Sequence, residues 1–159
     1  MHLINPFNLP NNMNLIQSSE ALGYENEEFK LITGDDLFLM QYLSPPKFGS
    51  EDIPGYCVDQ IELTLATAKW LIDVIENKMW KSAAEGGLPQ GAYSFKDIVA
   101  GENLALYREM NVGAKNQKGF RLTNFSRPSR IYSNINYQDF FITDLMLLEG
   151  GLLDTLKKI

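Results

Sequence analysis

The stretch 103–125, NLALYREMNVGAKNQKGFRLTNF, contains the clearest structural signal in the chain. Apolar and polar side chains alternate from Asn103 to Val112 and again from Phe120 to Phe125, and a polar connection bounded by two glycines joins the two runs. Successive side chains of a β-strand point to opposite faces, so this alternation predicts an antiparallel hairpin. The hairpin places an antiparallel sheet at the centre of the predicted fold.

Further strand signals precede this hairpin in the first half of the chain. A Gly-Asp pair at 34–35 lies between two apolar runs, which predicts a second hairpin over residues 29–43. Residues 56–63 predict another strand. Apolar residues then recur at helical spacing from Thr64, the predicted N-cap, to about Lys81, and this spacing predicts the strongest helix.

The second half ends with a weaker strand signal at 131–135 and a helical run from about Thr143, which Gly150 and Gly151 interrupt. Each half therefore consists of strands followed by a helix. The predicted fold class is α+β, an antiparallel β-sheet with two helices packed on one face. This order of elements, occurring twice, resembles that of the Whirly family of single-stranded nucleic-acid binders, although no residue motif accompanies the resemblance.

The domain organisation follows from length and composition. A chain of 159 residues with 45% hydrophobic residues is long enough for one packed core. Residues 24–159 are predicted to form this single domain, and its halves meet at the Gly- and Pro-containing connector 83–91. Residues 1–23 are rich in Asn and include two prolines, which predicts an irregular arm that packs on the domain or on a neighbouring subunit.

Few side chains in this sequence suit covalent or metal chemistry. Cys57 is the only cysteine, and His2 is the only histidine. A Ser-His-Asp or Cys-His arrangement would have to use His2, and a zinc site would lack its usual ligands. We therefore expect a protein without catalytic activity, cofactor or metal. Without a secretory signal or a membrane-spanning apolar stretch, we expect a cytoplasmic location and no membrane partner.

Charge is unevenly distributed along the chain. The protein has a net charge of −6, yet the segment from Arg108 to Arg130 has six cations and the single acid Glu109. The six cations are Arg108, Lys115, Lys118, Arg121, Arg127 and Arg130. Such segregation favours a face for an anionic partner.

Aromatic residues accompany these cations. Phe120, Phe125 and Tyr132 lie within or beside the predicted hairpin. Phosphate oxygens suit Arg and Lys side chains, and nucleobases stack on aromatic rings, so the segment 104–132 predicts a site for single-stranded nucleic acid or a phosphorylated ligand. The other interpretation is that these cations neutralise the protein's own acidic residues and protect a sheet edge.

The acidic half of the chain supplies a competing hypothesis. Its clustered carboxylates are Glu25, Glu27, Glu28, Asp35, Asp36, Glu51 and Asp52. This surface would attract a basic partner by electrostatic steering, as small inhibitors of toxins or nucleases do. The candidate aromatic anchors are Tyr24, Phe48, Trp70 and Trp80. The other interpretation is ordinary acidic solubility.

The sequence thus predicts a binding protein of the small inhibitor, immunity or phage-type accessory class, which engages another macromolecule through charged faces. A protein is the leading partner, nucleic acid or a phosphorylated ligand is the alternative, and a homo-oligomer is compatible with both. The predicted binding residues are Arg108, Lys115, Lys118, Phe120, Arg121, Phe125, Arg127, Arg130 and Tyr132.

Overall fold

The computed structural model describes residues 3–113 and 116–159, which form eight strands, three short α-helices, one π-helical segment and one 3₁₀-helix, Ala83–Glu85. The strands are β1 (Asn14–Glu20), β2 (Glu28–Thr33), β3 (Leu37–Ser44), β4 (Cys57–Thr64), β5 (Ser94–Val99), β6 (Glu102–Glu109), β7 (Gly119–Asn124) and β8 (Gln138–Thr143). The helices are α1 (Ala66–Asp73), α2 (Asp144–Leu148) and α3 (Leu152–Leu156), and the π-helical segment is Val74–Met79.

The strands form two antiparallel sheets, each with four strands in sequential order. Strands β1 to β4 make the first sheet, and β5 to β8 make the second. A helix follows each sheet in the chain, α1 after β4 and α2 after β8. The predicted α+β class is confirmed, with the strands divided between two sheets and the helical part divided into short pieces.

The core lies between the two sheets. Leu106, Leu122 and Phe140 are in register across β6, β7 and β8, and all three are fully buried. Phe29 and Tyr42 approach them from the first sheet, and the Tyr42 ring stacks on Phe140 with centroids 4.3 Å apart. The alternation that predicted the second hairpin therefore supplies the apolar face that the first sheet covers.

The first helix begins slightly later than predicted. The predicted N-cap Thr64 is wrong, because β4 extends to Thr64 and the helix is capped by Leu65 without a side-chain hydrogen bond. The helix then widens into the π-helical segment, whose last turn is closed by the Trp80 amide donating to the Ile75 carbonyl at 2.9 Å. Within the described ranges, no helix is both long and apolar enough to cross a membrane.

The C-terminal helices agree with the sequence pattern. Thr143 caps α2, because its hydroxyl accepts a hydrogen bond from the Met146 amide at 3.1 Å. Gly150 and Gly151 separate α2 from α3, and Gly151 has a left-handed backbone with φ +74°. The predicted interruption of the helical run at these glycines is confirmed.

The strand predicted at 131–135 is wrong. This segment lies in the β7–β8 loop, where local bonds close turns: the Ile135 amide donates to the Tyr132 carbonyl at 3.2 Å, and the Ser129 amide donates to the Ile135 carbonyl at 3.0 Å. The last strand of the second sheet is instead β8, which begins three residues later and lies at one edge of that sheet.

The N-terminal segment packs on its own domain. Residues 3–13 are irregular as predicted, but the following residues form β1, an edge strand with a register shift between Leu15 and Gln17. The Ile4 amide donates to Gln60 Oε1 at 3.1 Å, and Gln41 Nε2 donates to the Ile4 carbonyl at 2.6 Å. These bonds hold the segment against the first sheet.

Candidate functional site

The first predicted cation, Arg108, is held by a carboxylate of its own fold. Its two terminal nitrogens donate to both oxygens of Asp144, at 2.7 and 2.8 Å. The guanidinium also lies 4.6 Å from the centre of the Phe120 ring. A bidentate Arg–carboxylate pair is among the stronger polar contacts in proteins, so this cation is engaged in joining β6 to the start of α2.

Arg121 is paired in a similar way on the outer face of the second sheet. Its Nε donates to Glu109 Oε1 at 3.1 Å, and its guanidinium lies 4.1 Å from the centre of the Tyr107 ring. Arg121 and Glu109 are both about one-third exposed, so this pair is accessible to solvent.

Arg127 and Arg130 converge on one buried carboxylate. Glu62 is fully buried, and its side chain accepts hydrogen bonds from Arg130 Nε at 2.9 Å and from Arg130 Nη2 at 3.0 Å. The nearest Arg127 nitrogen lies 3.6 Å from Glu62 Oε1, and Arg127 Nε donates to Glu102 at 2.7 Å. Hydrogen bonding to Glu62 raises the pKa of Arg130 above its usual value.

The other predicted binding residues are distributed over different environments. Lys118 is exposed and makes no ion pair with the described part of the chain, and Lys115 lies outside the described residues. Phe120 is fully buried beneath Arg108 and is not accessible for stacking on a ligand. Phe125 and Tyr132 are exposed, at 45% and 60%.

The ion pairs favour the interpretation that the cations of the basic segment neutralise the protein's own acidic residues. Four of the segment's six cations contact carboxylates of the same chain, and these acids are Glu62, Glu102, Glu109 and Asp144. Within residues 3–113 and 116–159, the structure therefore does not bring the predicted cations together as a free basic face. An anionic ligand would have to compete with these carboxylates for the guanidinium groups.

A cleft of about 420 Å³ lies where edge strand β4 of the first sheet meets edge strand β8 of the second. Four carboxylates line it, Glu27, Asp52, Asp59 and Asp139. The cations in its lining are Lys47 and Arg130, and the Arg130 guanidinium is already bound to Glu62. The cleft is therefore acidic, although it is bordered by part of the basic segment.

The carboxylates in this cleft repel one another. The pKa of Asp59 is raised to about 7, mainly because the surrounding walls displace water from a carboxyl group that opens to the cleft, and also because Glu27 and Asp139 lie nearby. Desolvation raises the pKa of Glu27 as well, while Lys47 opposes that shift. Binding of a cation would relieve this repulsion.

Tyrosines form the walls between these carboxylates. Tyr132 and Tyr137 are exposed at the cleft, whereas Tyr42 lies at its base with its hydroxyl hydrogen-bonded to the Phe141 carbonyl. Burial raises the pKa of Tyr42 well above its usual value, so its phenol is neutral. The cleft thus combines negative charge with aromatic faces.

Comparison with family models, with curated proteins and with solved structures finds no match for this chain. None of these comparisons identifies a catalytic activity. Within residues 3–113 and 116–159, no three His, Cys, Asp or Glu side chains are arranged so that they could hold a metal ion.

Asp59, Asp139 and Glu62 are not among the binding residues predicted from the sequence. Asp59 and Glu62 lie on opposite faces of β4: Asp59 opens to the cleft, whereas Glu62 is buried. A strand pattern shows only which residues share a face, so it does not identify either acid as a site residue. Asp139 had no clear signal, because Phe140, Phe141 and Ile142 are consecutive apolar residues. Only the structure shows that Phe140 and Ile142 are buried while Asp139 and Phe141 are partly exposed.

The raised pKa of Asp59 predicts how stability depends on pH. An aspartate in an unfolded chain titrates near about 3.9, whereas Asp59 in the folded protein titrates at about 7. Between these pH values the unfolded chain binds fewer protons than the folded protein, so stability falls as the pH rises, and this contribution becomes constant above the folded pKa.

Asp59→Asn is expected to make the free energy of unfolding fall less steeply as the pH rises. The variant should therefore gain stability over the wild type, and the gain should be larger at about pH 8 than at about pH 5. Urea unfolding at both pH values measures the difference. Asp35→Asn removes an exposed carboxylate from the β2–β3 turn and is the matched control. An equal gain at both pH values for Asp59→Asn would contradict the prediction.

Proposed function

We propose that this chain is a protein-binding module whose acidic cleft receives an arginine or lysine side chain of its partner. The observation that supports this proposal is the crowding of Glu27, Asp59 and Asp139 around a cleft with tyrosine walls. A guanidinium group pairs with carboxylates through its planar fork and stacks on aromatic rings, so it suits both features of the cleft.

The proposed partner is consistent with the charge of the whole protein. A net charge of −6 attracts a basic protein at long range and accelerates its association. Capture of a basic surface by a small acidic protein is the mode of action that we expect of an inhibitor or immunity protein. The proposal therefore retains the class predicted from the sequence and moves its binding residues from the basic segment to the cleft.

Single-stranded nucleic acid is the second candidate. One observation favours it: Tyr107 pairs with Arg121 across β6 and β7, and beyond the ends of β7 and β8 the Phe125 and Tyr137 rings lie 6.2 Å apart and are 45% and 41% exposed. The pairing of Arg121 with Glu109 weakens this candidate, because phosphate would have to compete with that carboxylate. The acidic cleft would also repel phosphate.

The test of the proposed function uses short peptides that contain arginine, lysine or glutamate in a Gly-Ser background. We expect the arginine and lysine peptides to bind the wild type. The double variant Asp59→Asn with Asp139→Asn should bind them roughly ten- to hundredfold more weakly, because the cation loses its counterions. Isothermal titration calorimetry measures the affinities.

The matched control is Asp35→Asn with Asp36→Asn, and both pairs are compared at about pH 8. Asp59 is mostly ionised there, so the control removes nearly the same charge from the exposed β2–β3 turn. This variant should bind the basic peptides nearly as well as the wild type. An equal loss in both double variants would mean that only net charge matters and would overturn the assignment to the cleft. Tighter binding of oligodeoxythymidylate than of any peptide, with a steep salt dependence, would instead support the nucleic-acid candidate.

A further inference from the structure

Phe48 in the β3–β4 loop has no packing role in this fold. Its relative exposure is 107%, the highest among the large hydrophobic residues of the described chain. The ring stacks on none of the other described aromatic rings, whereas the nearby Tyr56 ring stacks on Phe7. A large apolar side chain that is fully exposed contributes no burial to folding and is available to a partner.

The backbone at Phe48 is unfavourable for this residue type. Phe48 has φ +55° and Gly49 has φ +75°, and the Ser50 amide closes the turn by donating to the Lys47 carbonyl at 3.0 Å. Two central residues with positive φ are characteristic of a type I′ turn, which favours Asn-Gly. A bulky side chain at the first of these positions is strained, and strained residues concentrate at binding sites.

The position of Phe48 connects it to the acidic cleft. Lys47 and Asp52, from the same loop, line that cleft, and Phe48 directly follows Lys47. Tyr132, from the β7–β8 loop, also lines the cleft and is 60% exposed. Two loops that contribute to the cleft therefore carry exposed aromatic rings, one in the lining and one next to a lining residue.

We propose that Phe48 is an apolar anchor of the cleft's binding surface, so that the partner presents an apolar residue close to its basic side chain. This inference rests on the proposed function. Phe48 is one residue outside the cleft lining, and an extended chain advances about 3.3–3.6 Å per residue. The apolar residue should therefore lie close to the basic one in the partner's sequence.

Other predicted anchors lack this combination of exposure and position. Trp70 Nε1 donates to Asp97 at 3.0 Å, and the ring packs beside Phe95. Trp80 is partly buried and packs near Phe120. Tyr24 lies against Tyr42, with ring centroids 4.6 Å apart. These side chains contribute to the fold, whereas Phe48 does not.

The binding test is an array of Gly-Ser peptides in which one arginine is combined with one leucine at every spacing. The wild type should prefer peptides with leucine near the arginine by about three- to tenfold over peptides without leucine, a range expected for burial of one apolar side chain. Phe48→Ser should lose this preference and retain the requirement for arginine. Tyr93→Ser, which removes a 63% exposed ring outside the cleft, should keep both.

A second measurement tests the strain without a partner. Phe48→Asn should raise the melting temperature by about 2–4 °C, because asparagine tolerates a left-handed backbone. Tyr93→Asn, at a position without positive φ, should not raise it. An unchanged or lower melting temperature for Phe48→Asn would overturn the strain argument and with it the inference.

The array separates the two proposals. If arginine is required but Phe48→Ser keeps the preference for leucine, the role of Phe48 is overturned and the proposed function stands. If arginine is not required by the wild type, both the proposed function and the anchor role are overturned, whatever the melting temperatures show.

Discussion

Replacing Glu62 with alanine is expected to lower the free energy of unfolding by about 3–5 kcal/mol, the range measured when one partner of a buried ion pair is removed. The Glu62 side chain is fully buried and accepts hydrogen bonds from Arg130 and Gln138. Arg127 also faces it. The substitution leaves these donors without their acceptor inside the protein, so the cost exceeds that of the lost contacts alone.

Chemical unfolding of the Glu62→Ala variant measures this effect. Glu76→Ala is the matched control, because Glu76 pairs with Lys157 at the surface, at 3.3 Å, with both side chains more than one-third exposed. An exposed pair of this kind contributes about 0–1 kcal/mol. A similar loss in the two variants would mean that the Glu62 cluster is no more important than a surface ion pair.

Replacing Phe120 with alanine should also lower the free energy of unfolding by about 3–5 kcal/mol, because it leaves a cavity in the core. Phe120 is fully buried, its ring centre lies 6.2 Å from that of Trp80, and Arg108 covers it. The sequence predicts both Phe120 and Phe125 as stacking residues. The structure instead predicts a large loss of stability when Phe120 is replaced and a small one when Phe125 is replaced.

Phe125→Ala provides the comparison, since Phe125 is 45% exposed and contacts Tyr137 with ring centroids 6.2 Å apart. We expect it to change the free energy of unfolding by about 1 kcal/mol or less. Thermal and urea unfolding of both variants measure the difference. If Phe120→Ala were as stable as Phe125→Ala, the placement of Phe120 in the core would be contradicted.

The hairpins were predictable because their signals are local. Alternation in 103–112 and 120–125, and the Gly-Asp pair between β2 and β3, indicate strands and turns without reference to the rest of the chain. The helix start near Thr143 and the two glycines at 150–151 are local signals of the same kind. These parts of the α+β fold were predicted correctly.

Strands β1 and β8 were missed for different reasons. β1 has the sequence NLIQSSE, is largely exposed and lies at a sheet edge, so pairing with β2 determines its conformation more than any apolar pattern does. β8 has the sequence QDFFIT, which does not alternate clearly between apolar and polar residues, and its final residues merge with the helical pattern of α2. The strand was assigned instead to 131–135, which forms part of the cleft wall.

The candidate site could not be predicted because it depends on pairs that are remote in sequence. Arg130 and Glu62 are 68 positions apart, and Arg108 and Asp144 are 36 positions apart. A count of charges along the chain detects the basic segment but not the acids that neutralise it. Asp59 and Asp139 are also remote in sequence, and they lie near each other only because β4 contacts β8.

The hydrogen bond between the Ile4 amide and Gln60 belongs to a network that reaches beyond the N-terminal segment. Gln60 also donates to Glu62 at 3.3 Å, and Glu62 binds Arg130 in the wall of the cleft. A continuous hydrogen-bonded path thus connects the backbone at Ile4 with the loop that holds Tyr132. An affinity tag or carrier protein fused to the N-terminus would be attached close in sequence to this path, so binding experiments are best performed with labels attached elsewhere.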